Sequence, residues 1–444
     1  MSRSLSEAPI AAITPAHVIA GNLPNRLARL AQEVGPLFRW EMAEPGREFV
    51  FLVGPEANRL VFNTRRDAFS HQRGWTPFIG DLLGSGLLNM DNPEHARARK
   101  MWNPAFTSAY MGTYLPLMQQ VIAVHTSAWV ERGEVDLYQE SREIAFHIAA
   151  SALAGIHARD EVAHLQRLFY LLLPRGGPAQ GEDDDALWDR VYQARDELDG
   201  MLLDLITQRR ATAADVASHD VLGMIVHARD EDGHTLTDRE VLGHLYILLV
   251  AGHETTTTLA AWTLYYLATL PDERRRVEAE LEALLGGGSA PLSVETARRL
   301  HVLDAFISES GRLHSPVQMV PRGVVEEVEF AGYTLPIGTR ARVALAACHR
   351  LPQYFADPER FDLDRFLPPR EEDRKTPYAL VTFGGGPRLC IGVNVANIEV
   401  KALAAHVLRA YTLTPTVRGA PVDVGFITTS VPSGLPMRVT PRTR

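Results

Sequence analysis

The sequence predicts a mainly α-helical protein with a small β region. Three observations lead there. Two long stretches, Asp238 to Leu270 and Ile391 to Tyr411, carry apolar residues at helical spacing, and shorter stretches repeat that pattern along most of the chain. Strand-like segments are confined to two places, Leu37 to Val53 and Val328 to Val343. The composition, 46% hydrophobic and 22% charged over 444 residues, allows a large core and argues against general disorder.

Taken in order, Met1 to Ala20 is mildly apolar but broken by Glu7, Pro9 and Pro15. It lacks the basic start and unbroken apolar run of a signal peptide, and it is too interrupted for a membrane anchor. Residues 1–24 read as an N-terminal extension. Residues 25–444 read as one domain, because no internal repeat and no obvious linker divides them. Asn25 to Val34 is helical in spacing. Leu37 to Met42 and Glu48 to Val53 read as two strands around the turn Glu44-Pro-Gly46, and Glu56 to Asn63 as another helix.

Ser70 to Asp91 mixes Gly and Pro with Trp75, Phe78, Ile79, Leu82, Leu83, Leu87 and Leu88. It reads as a long apolar loop, one that lines a cavity or packs on the core. His95 to Tyr110 is a basic helix on which His95 and Arg99, four apart, share a face. Arg97 and Lys100 form either a solvated face or a docking patch for an acidic electron donor. Helical patterns follow at Leu117 to Arg132, Ser141 to Leu153, Val162 to Leu173, Leu187 to Arg210 and Asp220 to Ala228. Between them, Pro174 to Asp185 is a Pro/Gly loop ending in an acidic run, a pattern usual for solvated loops.

Charge and cysteine content narrow the function. A net charge of −9 argues against nucleic-acid binding. Two cysteines, Cys348 and Cys390, with no Cys-x-x-Cys pair, leave too few thiols for a disulfide scaffold or a Cys-rich zinc site, and suit a reducing cytoplasm. No stretch reaches the roughly eighteen apolar residues of a membrane span, so no integral anchor is expected.

Two stretches carry the chemistry. Phe383-Gly-Gly-Gly-Pro-Arg-Leu-Cys-Ile-Gly392 sets Cys390 in a glycine-rich loop just before a helical pattern. A helix N-terminus favours a thiolate through its dipole and free N–H donors, and glycine lets a flat ligand approach the backbone. Ala251-Gly-His-Glu-Thr-Thr-Thr-Thr258 interrupts a strong helix with poor helix formers. Gly252 alone costs about 1 kcal/mol there, and such local conflicts cluster at functional sites.

Together these residues resemble the cytochrome P450 family. Phe383, Gly386, Arg388, Cys390 and Gly392 match its haem-binding signature, and Ala251, Gly252, Glu254, Thr255 and Thr256 match its oxygen-handling helix motif. The resemblance runs from about residue 25 to the end and implies the cytochrome P450 fold. It implies a cofactor, haem b (iron protoporphyrin IX), with Cys390 as the metal ligand. His95, Arg99, Arg322 and Arg388 would hold its propionates, with Phe383, Gly386, Gly392 and Ala251 beside it. Thr255 would hydrogen-bond the distal oxygen and Glu254 would relay protons from solvent. His253 resembles a metal ligand in isolation, but it occupies the motif's variable position.

Glu309 and Arg312 match the family's Glu-x-x-Arg pair, with Arg360 as third member of its buried ion network. Two departures stand out: Gly311 weakens that helix, and Cys348-His349-Arg350-Leu351 lacks the acid often found after the arginine. Pro174 to Asp185 would be the loop covering the substrate channel. The substrate pocket would draw Phe78, Ile79, Leu82 and Leu83 from the apolar loop, and Leu248 and Ala251 from the long helix. Val317 and Met319 would come from the next segment, and Phe426 and Ile427 from a turn near the C-terminus.

The implied reaction is insertion of one atom of O2 into a C–H bond of an apolar small molecule, with a terpenoid, a carotenoid or a fatty acid as guesses. NAD(P)H electrons would arrive indirectly, through a ferredoxin or flavodoxin with its reductase, since no flavin or iron–sulfur segment is seen. Two rivals stay open: a peroxide-using haem-thiolate peroxygenase or isomerase, which would not need Glu254 and Thr255, and a non-enzymatic haem-binding protein.

Overall fold

The structure is a computed structural model. It describes all residues except 1, 12, 14–16, 18–20, 42–47, 173–183, 214–219, 287–289, 418, 420, 426, 432 and 443–444. The turn expected at 44–46 and nearly all of the loop at 174–185 lie outside the described residues.

The Asp238–Thr269 helix runs 32 residues through the middle of the molecule, roughly 48 Å at the usual rise. A capping box starts it: Thr237 Oγ1 accepts from the Glu240 N–H at 3.3 Å, and Glu240 accepts from the Thr237 N–H at 2.8 Å. The helices Leu137–Ala154, His301–Leu313 and Val393–Ala410 pack against it. Gly311 has a packing reason: a Cβ there would lie 3.1 Å from Leu259 Cδ1 and 3.2 Å from Thr382 Cγ2. The helix gives up propensity at Gly311 to approach the central helix closely.

Eleven strands are described: β1 Arg3–Ser4, β2 Leu37–Trp40, β3 Phe49–Leu52, β4 Phe69–Ser70, β5 Glu134–Asp136, β6 Val320–Val324, β7 Val328–Phe330, β8 Tyr333–Leu335, β9 Arg340–Val343, β10 Tyr411–Pro415 and β11 Pro436–Pro441. They form a five-stranded sheet in the order β2-β3-β9-β6-β4 and two three-stranded sheets, β1-β8-β7 and β10-β11-β5. The hairpin expected from residues 37–53 is there, with Leu37 opposite Leu52 and Trp40 opposite Phe49. Residues read as an N-terminal extension are woven into this region. Arg3 and Ser4 pair with Tyr333 and Thr334, Ile10 bridges Arg39, and Ala8, Ala11 and Ile13 are buried.

Residues 70–91 correct the sequence reading. His71–Leu83 is a helix, not a loop. Ser70 Oγ accepts from the Arg73 N–H at 2.9 Å, while the Asp91 carboxylate takes the N–H groups of His71 and Gln72 at 2.7 and 3.2 Å. Gly74, which looked like loop punctuation, is a contact residue: a Cβ there would lie 2.5 Å from the Pro321 carbonyl oxygen. Beyond the helix, Ser85 lies so close to the central helix that a Cβ on Gly243 would sit 2.2 Å from the Ser85 carbonyl oxygen. This helix therefore bridges the five-stranded sheet and the central helix.

Candidate active site

The cysteine loop ends in a short 3-10 turn, Gly386–Arg388, and the helix after it begins at Val393, two residues later than its apolar spacing suggested. Gly384 and Gly386 have φ of 74° and 63°. A Cβ on Gly386 would lie 2.1 Å from the Phe62 carbonyl oxygen, so this position needs glycine for space as well as for conformation. The Cys390 N–H donates to the Phe383 carbonyl at 3.0 Å, which closes the loop. The Cys390 thiol is open to solvent, whereas Cys348 is fully buried. Surrounding protein still raises the Cys390 pKa, opposed by the Gly392 N–H and the charge of Arg99. Burial pushes Cys348 much further up, and its Sγ donates to the Ala379 carbonyl at 3.3 Å. It is a structural thiol.

Basic groups crowd beside the loop. His71, His95, Arg99 and Arg388 line a cavity of about 620 Å³ that also touches Val61, Phe69 and Asp91. Arg388 donates to the Met90 carbonyl at 2.9 Å and Arg99 to Asn103 Oδ1 at 2.8 Å. Arg322 is buried, and its Nε has no hydrogen-bond partner among the described residues. Burial comes first in shifting this group, followed by repulsion among its members. Arg322 is pushed down to about 9 and Arg388 to about 10, while burial with the charges of Arg388 and Arg99 holds His95 at about 3. His71, lowered by burial and by Arg322, belongs to the same group; sequence reading missed it. Two carboxylates lie nearby: Asp91 is occupied in capping the His71–Leu83 helix, and Asp67 lines the same cavity.

On the central helix, Ala251 is exposed and Thr255 half-buried, while His253, Glu254 and Thr256 are buried. Thr255 Oγ1 donates to the Ala251 carbonyl at 2.7 Å, leaving its lone pairs facing outward. Thr257 donates to the His253 carbonyl at 2.7 Å, and Thr258 reaches the Thr429 carbonyl at 3.1 Å. Glu254 is buried, so its ion pair with Arg142, at 3.2 Å, is not a surface bridge. Its Oε1 also lies 3.0 Å from His253 Nε2, while His253 Nδ1 meets the Leu249 carbonyl at 2.7 Å. Both ring nitrogens of His253 therefore face oxygens. Arg142 lies 112 residues from Glu254, and no local spacing rule could have found it.

Glu309 and Arg312 form a fully buried pair at 2.6 and 2.8 Å. The third member is Arg365, not Arg360. Arg365 Nε donates to Glu309 Oε1 at 3.1 Å and Nη1 to Glu372 Oε2 at 3.0 Å. The Arg360 side chain is exposed, and only its carbonyl takes part, accepting from Arg312 and Arg365 at 3.3 Å each. The acid missing after Arg350 is supplied by Glu359, at 3.0 Å. Arg97 and Lys100 are also committed: Arg97 pairs with Asp230 at 2.6 Å and Lys100 with Glu231.

The expected pocket residues are spread over three places. Phe78 is 43% exposed and Ile79 half-buried, while Leu82, Leu83 and Leu248 belong to the helical core. Met319 is fully buried in a different cluster, with Trp40, Phe51 and Leu27. Val317 bridges Thr428, and the Ile427 carbonyl accepts from the Gln318 N–H at 2.8 Å. Phe426 lies outside the described residues.

Comparison with known proteins decides the family. The cytochrome P450 family model matches residues 7–169 and 182–434. The chain is a cytochrome P450. A Mycobacterium tuberculosis protein named cytochrome P450 136 is 30% identical over 397 residues, which cover 88% of this chain and 78% of that one. The sterol 14alpha-demethylase of Mycolicibacterium vanbaalenii is 29% identical over 391 residues, covering 87% and 85%. The solved structure of retinoic-acid-bound cyanobacterial CYP120A1 has a TM-score of 0.84 at 26% identity, covering 98% of this chain and 99% of that one. This cytochrome P450 is a haem-thiolate monooxygenase that uses haem iron and O2. The residues present fit the haem: an exposed cysteine, a glycine loop with no room for a Cβ at Gly385 and Gly386, and a cationic cluster whose buried Arg322 Nε has no partner among the described residues. Among the described residues no helix is long and apolar enough to cross a membrane.

Proposed function

We propose that this cytochrome P450 hydroxylates a large, mainly apolar small molecule, with Cys390 as the iron ligand. The observation that carries the reading is the pairing of an accessible Cys390 with an opening at Ala251 and Thr255 in an otherwise buried helix. The bound haem supplies thiolate-assisted O–O cleavage and C–H oxidation. His95, Arg99, Arg322 and Arg388, joined by His71, hold the propionates. Thr255, already donating to Ala251, orients its lone pairs toward an incoming donor. Glu254 relays protons from solvent toward Thr255, with His253 beside it and Arg142 fixing the carboxylate. The Glu309, Arg312 and Arg365 network holds the fold around the cysteine loop and takes no part in proton movement.

The substrate class follows from the apolar residues Phe78, Ile79 and Leu248 and from the relatives, one named for a sterol and another holding retinoic acid. Electrons reach it from a separate ferredoxin or flavodoxin system, in the cytoplasm. The test is the absorption spectrum of the dithionite-reduced, CO-bound protein. A strongly red-shifted Soret band in wild type, absent in Cys390→Ser, is expected; the same band in both would remove Cys390 as the ligand. Turnover with peroxide alone, undiminished in Thr255→Ala, would favour a peroxygenase instead.

A further inference from the structure

Strand β9 holds a second unpaired arginine, on the other side of the sheet from the propionate cluster. Paired residues of neighbouring strands share a face, and successive residues alternate. Arg322 stands opposite Ala341, whereas Arg342 stands opposite Phe51 and Pro321. Arg342 therefore points away from the haem side, toward the His71–Leu83 helix. It is 3% exposed. Its guanidinium lies 4.0 Å from the centre of the Phe49 ring and 5.1 Å from that of Phe78. Nη1 donates to the Ala341 carbonyl at 3.0 Å, and the buried Nε has no partner among the described residues. Among the described residues no carboxylate pairs with Arg342, and burial with the neighbouring Arg340 charge pushes it down to about 10.

Cation–ring contacts contribute something, but they do not replace hydrogen bonds to a buried Nε. An uncompensated buried guanidinium is costly, and nothing in the sheet requires one, since Phe51 and Pro321 beside it are apolar. The edge of the guanidinium carrying Nε offers the parallel N–H pair that a carboxylate takes bidentately. Aromatic rings flanking the group suit a planar anion more than a tetrahedral one. Phe78, exposed at 43%, is on the same helix as Leu82 and Leu83, which join the core around the central helix. Apolar side chains of that helix thus run from Phe78 beside Arg342 to Leu82 and Leu83 in the core.

We propose that Arg342 is the docking point for the carboxylate of an amphiphilic substrate whose apolar body lies along the His71–Leu83 helix. This rests on the monooxygenase reading above and narrows its substrate to apolar carboxylic acids. The test is equilibrium dialysis of the haem-loaded protein with palmitic acid and retinoic acid, their methyl esters, and hexadecyl phosphate. Wild type is expected to hold at least one acid about 10- to 100-fold more tightly than its ester, the range of a charge-assisted bond. Arg342→Met should bring that ratio close to one while leaving ester affinity within about twofold, and Arg342→Gln serves should the methionine variant not fold. No acid preference in wild type, or a preference kept in both variants, overturns the proposal. Tighter binding of hexadecyl phosphate than of palmitic acid overturns the carboxylate assignment. The reduced, CO-bound spectrum is recorded on the same samples. A normal band with no acid preference sinks only this proposal, whereas a missing band strikes the monooxygenase reading.

Discussion

Replacing Arg365 by methionine tests the ion network at the point where sequence and structure part. The substitution removes two hydrogen bonds to carboxylates, Glu309 at 3.1 Å and Glu372 at 3.0 Å, and two to carbonyls, Asp357 at 2.9 Å and Arg360 at 3.3 Å. Each charge-assisted bond is worth about 1.5–3 kcal/mol. Neither carboxylate is stranded, because Glu309 keeps Arg312 and the Asp362 N–H, and Glu372 keeps Arg370. The two bonds to carboxylates alone therefore put the cost at about 3–6 kcal/mol. Arg360→Met removes an exposed side chain and leaves its carbonyl in place, so it should cost within about 0.5 kcal/mol. The assay is urea unfolding of the haem-loaded proteins followed by circular dichroism. Midpoints are compared directly, because a chain this long need not unfold in two states. Equal shifts for the two variants would refute the assignment of Arg365.

Three further outcomes are expected. His349 is fully buried and accepts the Val381 N–H at 3.0 Å, and burial with the Arg312 and Arg350 charges holds it at about 3. From pH 6.5 down to about 3 the unfolded chain binds a proton that the native state refuses, so stability falls with pH, by about 2 kcal/mol at pH 5. His349→Gln keeps an acceptor but does not titrate, and its stability-versus-pH curve should be flatter by that amount; a parallel curve would contradict the shift. Gly243→Ala should lower the thermal midpoint, costing about 1–3 kcal/mol, because its Cβ meets the Ser85 carbonyl oxygen. A rise in midpoint, as helix propensity alone dictates, would show that the contact is not close. Glu254→Gln should slow turnover about 100-fold with substrate affinity unchanged, and an unaltered rate would remove Glu254 from proton delivery.

What could be read from the sequence followed locality. The central helix was legible almost to the residue, because apolar spacing over 32 positions outweighs Gly252 and four threonines. Cys390, Glu254 and Thr255 stand out in the sequence because each sits inside a contiguous motif. The His71–Leu83 helix was hidden, since Gly74 and Pro77 signal a loop when the strand that needs a bare backbone at Gly74 is 250 residues away. Strand β6 was hidden for a similar reason, by Pro321 and Gly323 in its middle. Arg365 and Arg142 were missed because pairing between distant side chains leaves no periodic trace. Arg360 was chosen by position in a motif, and the structure assigns that place to its backbone carbonyl.

The order of strands in the five-stranded sheet also sets a timetable for the newborn chain. Strand β3 ends at Leu52, and its parallel neighbour β9 ends at Val343. Nearly 300 residues must leave the ribosome between them, about 15–60 s at ordinary synthesis rates. During that interval the hairpin of β2 and β3, with Phe38, Trp40, Phe49 and Phe51, offers an unpaired edge to any passing strand. Expression yield for this protein should thus respond to chaperones that bind early and to slower, cooler synthesis, more than to changes in the helical core.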